Sequence, residues 1–529
     1  MQVLVARGWL SAAAAIALLG ACDGGNDEVR GGPESSAGSG GSEPIGGAWP
    51  AGGTAGATPT YTPGTVLSSS TALPDGEPTC CEHEWTIRAL HYHPGATTPR
   101  RMYFSACDTA GATPTMWVSL AVGVNAQHPE EDPSSGALIE TRLDSGTGTL
   151  VPTGVARRFP ECVWMEGVAT SDDCSTIGVL CRRKYGDADF DFDSLATHAD
   201  KDWMTQPDCA DQEMWLYEWT NGDITTEPGK YVVHRAVGTG WEYGNNTLHL
   251  GDDNTYGIGV KARVFGGDTC HEADAFLVMD RADHHLTSRG WSWACGTGHT
   301  LFNHPTYNPA TQKYAVLCGT DASNHGSPLG GLWMRVEDGT ANEFHTVNYE
   351  GLRIKGGVGA LRPLADGGYL GAIIGIDGGV TAQDTIPLEP PTSIGLARFD
   401  AAGSLVGQIH RVAAAETKYL SYPQLAPLGN GRYLLGYGEM YDLARPDDMN
   451  DDAYRVPLAY FVLEIDESGT PLTEPQLLDG VGWGEQDQMV ALGDGRVGWA
   501  HIPNPTLENL VVPSCNSPTL QLSTYSVAD

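Results

Sequence analysis

Of the Gly-Trp pairs in the chain, three stand shortly before polar residues: Gly240-Trp241 in GTGWEYGNN, Gly290-Trp291 in RGWSWACGTGH and Gly482-Trp483 in GVGWGEQDQ. Polar side chains follow each of them, namely Asn246, then His299 beyond Trp293, then Glu485 and Asp487. Glu166 in VWMEGV holds the comparable place in another segment, and KYLSYP adds Tyr419 and Tyr422. Aromatic faces ringed by carboxylates and amides suit a carbohydrate or another ring-bearing ligand, through stacking and hydrogen bonds. The candidate binding set is therefore Trp241, Asn246, Trp291, Trp293, His299, Tyr419, Trp483 and Asp487. Two chemistries stay open. Carboxylates among Glu166, Glu485 and Asp487 standing about 5–10 Å apart would form the acid and base of a glycan-active enzyme. Aromatics without such a pair would only bind. The same Gly-Trp repeat also fits a packing plug between repeated structural units.

Two acidic stretches could hold a cation. Asp187, Asp189, Asp191 and Asp193 in GDADFDFD alternate as oxygen ligands of Ca²⁺ often do, but no Gly stands at the sixth position and no acid at the twelfth. YDLARPDDMNDDAY clusters Asp447, Asp448, Asp451 and Asp452. Ca²⁺ is thus the one cofactor considered, against solvated acidic loops. Neither H-E-x-x-H nor C-x-x-C-H occurs, and there is no G-x-S-x-G or P-loop.

The elements that must carry these residues are hairpins. LAPLGNGRYLLGYG (425–438) holds Asn430-Gly431 between two apolar runs, the strongest local hairpin signal. LRPLADGGYLGAIIG and MVALGDGRVGWA repeat it with Asp366-Gly367 and Asp494-Gly495, at steps of 64 residues. Each hairpin precedes a second β-rich string ending in a polar turn, such as IGLARFDAAGSL or FVLEIDESGTPL. One unit thus holds four strands, a to d. All-β self-similarity at this period means a propeller. The units fall at 82–143, 157–237, 245–291, 298–349, 356–412, 420–478 and 485–527. Seven blades is the preferred count, with six or eight open. The last unit has three obvious strands, and its outer strand could come from around Gly64–Ser70. The PLADGGYL and LARFDAAGSL strings resemble the repeats of bacterial secreted β-propeller proteins. That resemblance implies blades, not a reaction.

In such a unit the a–b and c–d turns leave on one face and the b–c and d–a connections on the other. The first set is short. The second is long, at 182–212, 266–274, 319–330, 376–392 and 440–457, and long loops on one rim of a rigid scaffold are where binding residues gather. The candidate residues above lie on that rim.

The first 22 residues read as an export signal, with Arg7 and then an apolar run too short to span a membrane. Leu19-Gly20-Ala21-Cys22 resembles the lipobox of bacterial lipoproteins, which implies acylation at Cys22 and membrane attachment; an ordinary cleaved signal is the alternative. Residues 23–78 are rich in Gly, Ser, Pro and Thr and read as a disordered tether with a reach of about 40 Å. The propeller is expected over 79–529. A net charge of −36 argues against nucleic acid as a partner.

Twelve cysteines in an exported chain imply disulfides. In a hairpin the start of strand a lies beside the end of strand b. That address predicts Cys81–Cys107, Cys162–Cys181 and Cys295–Cys318. The whole reads as an extracytoplasmic, monomeric, lipid-anchored β-propeller acting as a binding or scaffold module for a glycan or protein. The glycan-active enzyme is the rival.

Overall fold

The computed structural model describes residues 61–72, 102–108, 113–122, 135–162, 164–184, 212–237, 247–266, 269–292, 300–320, 330–337, 339, 342–348, 358–374, 385–387, 393–414, 419–442, 455–483, 488–501 and 519–528. The regular elements among them are strands, and they form a seven-bladed β-propeller. Each blade is an antiparallel meander. Its first, innermost strand is Met102–Asp108, Trp164–Thr170, Thr247–Leu250, Thr300–Asn308, Val358–Pro363, Tyr419–Gly429 or Val490–Gly493. These seven touch in chain order, and Val490–Gly493 returns to Met102–Asp108, which closes the ring.

The seal is made by an N-terminal strand. Thr65–Ala72 pairs antiparallel with Thr519–Ser526, from Thr65↔Ser526 to Ala72↔Thr519, as the outer strand of blade seven. The folded body therefore starts at or before Gly64 rather than at residue 79. Few large aliphatics hid this strand inside the tether composition. An outer strand needs only the ladder and one apolar contact, here Val66 against the core.

Blade one also differs from expectation. Its strands are Met102–Asp108, Pro114–Val122, Ser135–Leu143 and Leu150–Phe159, so the span is 102–159 and not 82–143. The expected unit began one strand early. Cys107 consequently ends the inner strand at the a–b turn instead of ending strand b. There it bonds Cys174, in the a–b turn of blade two, not Cys81. Asp108 N–H donates to Asp172 O at 2.8 Å between the same two turns. Cys162–Cys181 forms as the hairpin address predicts. Cys318 is disulfide-bonded; Cys295, its expected partner, lies outside the described residues, as do Cys22 and Cys81.

The hairpin strings are two kinds of turn. Asn430-Gly431 and Asp494-Gly495 both take positive φ, the type I′ requirement. Asp366-Gly367 instead sits in a wider loop closed by Leu364 N–H to Gly368 O at 2.9 Å. Two long hairpins extend past their expected loops. Blade three pairs out to Gly266↔Thr269, where a loop at 266–274 was expected, and blade six to Asp442↔Arg455. Ala262↔Val237 joins blades two and three into one sheet. The Thr385–Pro387 strand, from the b–c connection of blade five, pairs in parallel with the outer strand of blade four.

Blades pack through apolar faces pinned by buried carboxylates near the ends of strand c. Glu218 accepts from Tyr256 Oη, Arg281 Nε and His284 Nε2, each at 2.8 Å and each on blade three. Glu337 of blade four pairs with Arg289 of blade three, and Glu464 of blade six with Arg432 and Tyr525. Burial alone would raise the Glu218 carboxyl, but hydrogen bonds from His284, Arg281 and Tyr256 outweigh it and hold it below its ordinary value. A depressed folded-state value stabilises above the ordinary Glu range, about 4.3, and is lost on acidification through the folded value. Glu218→Ala should cost about 3 kcal/mol at pH 7, because Arg281 and Tyr256 lose their acceptor. The urea-midpoint gap to the parent should narrow below about pH 4. A gap unchanged by acid would assign the loss to packing alone.

Candidate functional site

The channel mouth on the long-loop face is shaped by a repeated irregularity. In blades two, four, five and six the inner strand slips register soon after it begins, between Met165/Gly167, Leu301/His304, Val358/Leu361 and Ser421/Gln424. Bulges bend a strand and re-aim its side chains, and four at one address turn the strand starts around the axis. Tyr422, in the blade-six bulge, takes a positive φ of 53°. No sequence pattern announced these bulges.

Two of the three Gly-Trp tryptophans are enclosed. Trp483 is 1% exposed; its ring lies 4.6 Å from Tyr460 and 6.2 Å from Trp499, and its Nε1 donates to Tyr422 O at 2.9 Å. Trp291 is buried against Phe276 at 4.7 Å, with the Arg335 guanidinium 4.5 Å over its ring. The glycines explain themselves. A Cβ at 290 would run into the backbone of Phe276 and Leu277, and one at 482 into the ring of Tyr460. Only Gly lets the chain lie that close while the next indole enters the seam between blades. Gly290-Trp291 and Gly482-Trp483 are architecture.

The remaining candidates divide simply. Tyr419 begins the inner strand of blade six, paired with Met440. Trp241, Asn246, Trp293, His299, Glu485 and Asp487 lie outside the described residues, and so do Asp187, Asp189, Asp191 and Asp193. Among the described residues no cluster of His, Cys, Asp and Glu could hold a metal. Glu166 is present in full. It sits in the blade-two bulge, 3% exposed, with Oε1 2.7 Å from Arg182 Nη2 and Tyr103 Oη donating to Oε2 at 3.3 Å. A carboxylate enclosed and ion-paired in this way is not open to a substrate.

Deeper in the channel stands a group that motif reading passed over. Arg362, on the inner strand of blade five, donates Nε to Leu425 O at 2.6 Å and Nη1 to Leu361 O at 3.1 Å. Nη2 donates to Met489 O at 3.1 Å, and Nη1 also reaches Gln488 Oε1 at 3.4 Å. A side chain that leaves blade five and reaches blade seven past the inner edge of blade six runs through the axial space. It caps carbonyls that the free edges of the inner strands leave open. Burial brings its guanidinium down to about 10, only partly offset by Tyr433. His249, on the inner strand of blade three, is held down to about 4 by burial and by the charge of Arg362. Counting back from the a–b turn would have aligned the two, since each lies two residues before its turn-closing residue, Gly251 or Leu364.

No family model and no curated protein matches the chain. Solved structures match the chain at low identity. A protein of unknown function from Dyadobacter fermentans is 11% identical, covering 68% of this chain and 94% of its own, with a TM-score of 0.36. A copper-bound fungal alcohol oxidase is 9% identical, at 80% and 73% coverage and a TM-score of 0.38. An α-L-arabinofuranosidase of Fusarium graminearum is 8% identical, at 68% and 92% coverage and a TM-score of 0.36. Neighbours this distant leave the chemistry to be read from the residues of this chain.

Proposed function

We propose that the chain is an extracytoplasmic binding module, held at a bacterial membrane through an acylated Cys22, whose channel-mouth rim takes a glycan or a protein partner. The observation that favours binding over catalysis is the state of Glu166. Of the three carboxylates considered for acid–base work, it is the one whose surroundings are described, and it is buried against Arg182. The bulged strand starts supply the rigid base on which the long loops would present contacts. Two disulfides inside the propeller fit an oxidising compartment.

The full chain, labelled and displayed to a glycan array and to envelope extracts, should retain ligands without altering them. Release of new reducing ends from a retained glycan, abolished by Glu485→Gln or Asp487→Asn, would replace this reading with the enzyme. Cys22→Ser should move the protein from the membrane to the soluble fraction. Unchanged membrane association would remove the lipid anchor from the proposal.

A further inference from the structure

We propose that the central channel seats the oxyanion head of an organic ligand, a carboxylate or a sulfate ester, on Arg362, with His249 and Gln424 beside it. This concerns the channel interior and stands apart from what the rim binds.

The first ground is charge. Four arginines in the seams between and within blades meet carboxylates: Arg182 with Glu166, Arg281 with Glu218, Arg289 with Glu337, Arg432 with Glu464; Arg335 lies over the Trp291 ring instead. Arg362 has none among the described residues. Its acceptors are three main-chain carbonyls and the Gln488 amide, all neutral. Carbonyl dipoles satisfy the hydrogen bonds of a half-buried cation without cancelling its charge. In a chain of net charge −36, the uncancelled charge of Arg362 can take an outside anion.

The second ground is donor geometry. A guanidinium has five N–H donors, and these contacts leave one on Nη2 unused. The Gln488 contact, at 3.4 Å, is long and easily displaced. An oxyanion arriving there takes adjacent Nη1 and Nη2 donors with two oxygens, the fork at which arginine excels. The third ground is Gln424. It is fully buried, and neither Oε1 nor Nε2 has a hydrogen-bond partner. Its cross-strand neighbour Gly436 shares its face, and a Cβ there would meet Met489 Cε and Trp483. Gln424 therefore points to the side of blade six where Met489 lies and where Nη2 of Arg362 ends. Its amide supplies another N–H donor.

The places equivalent to Arg362 hold short side chains in other blades. Ala426 and Val490 align with it in the hairpin strings, and Ala169 and Thr306 precede their own turns by the same two residues. Only blade three puts another basic side chain there among these, His249.

The His249 imidazole reports on the site. In NMR titrations of the ¹³C-His-labelled full chain, methyl sulfate should raise its midpoint saturably by about one pH unit, equivalent to about tenfold tighter anion binding to the imidazolium form. Acetate should act likewise where it is ionised, and acetamide should do nothing. Response to one anion alone would identify carboxylate or sulfate as the natural head group. Arg362→Met should abolish the response. Should that variant fail to fold, Arg362→Lys, which keeps the charge but loses the fork, should weaken binding about tenfold. The proposal is overturned if neither anion moves His249 saturably, or if Arg362→Lys responds as the parent does. It is equally overturned if the response appears only in Asp487→Asn, because a rim carboxylate then already occupies Arg362.

Discussion

Trp483→Ala should lower stability by about 3–5 kcal/mol, the range for deleting a large buried aromatic. The indole is a keystone of the seam between blades six and seven. It meets Tyr460 from blade six and Trp499 from blade seven, and its N–H satisfies Tyr422 O beside a strained bulge. Tyr460 Oη donates to Trp483 O at 2.8 Å, so the aromatic pair and its backbone are locked at both ends. Truncation leaves a cavity that the Gly436 site cannot refill, since its lack of a side chain is what admits the ring. Urea denaturation followed by tryptophan fluorescence and far-ultraviolet circular dichroism measures the loss. A variant with near-normal melting that no longer binds ligand would return Trp483 to the binding platform.

The blades were legible because a hairpin repeat writes itself into the sequence locally. Asn430-Gly431 and Asp494-Gly495 need positive φ, and few residue pairs tolerate it, so the turn could be read from its letters. Six of the seven spans followed, and the closing strand near Gly64 followed from a count of strands per blade. Blade one was misplaced because no such dipeptide marks its a–b turn, and its outer strand LVPTGVARRF looked like a connection. The site was less legible. Gly-Trp carries the same letters whether the indole faces a ligand or a neighbouring blade, and only the third dimension separates the two. Arg362 was passed over for the opposite reason. It stands inside one of the repeated hairpin strings, where every residue seemed explained by the repeat, and its reach toward blade seven is not encoded in spacing. Glu218, Glu337 and Glu464 were hidden similarly, each looking like one more surface acid beside a turn.

The Cys107–Cys174 bridge carries the second large expected effect, and it follows from the blade-one correction. The bond joins the a–b turns of adjacent blades across a sequence separation of 67 residues, against 19 for Cys162–Cys181. Restricting the unfolded chain over the longer loop should stabilise by about 4 kcal/mol, against about 3 kcal/mol for the shorter. Without the bridge the two turns keep the Asp108-to-Asp172 hydrogen bond and the contact between Ser105 and Thr170 side chains at 2.8 Å. These hold the folded geometry but do nothing to the unfolded ensemble. Cys107→Ser with Cys174→Ser should therefore fold to the same blades with a much lower urea midpoint, and the loss should exceed that of Cys162→Ser with Cys181→Ser. Non-reducing peptide mapping of the parent chain should recover Cys107 joined to Cys174. A peptide joining Cys107 to Cys81 would instead restore the hairpin address, and with it a blade one that begins a strand earlier than residue 102.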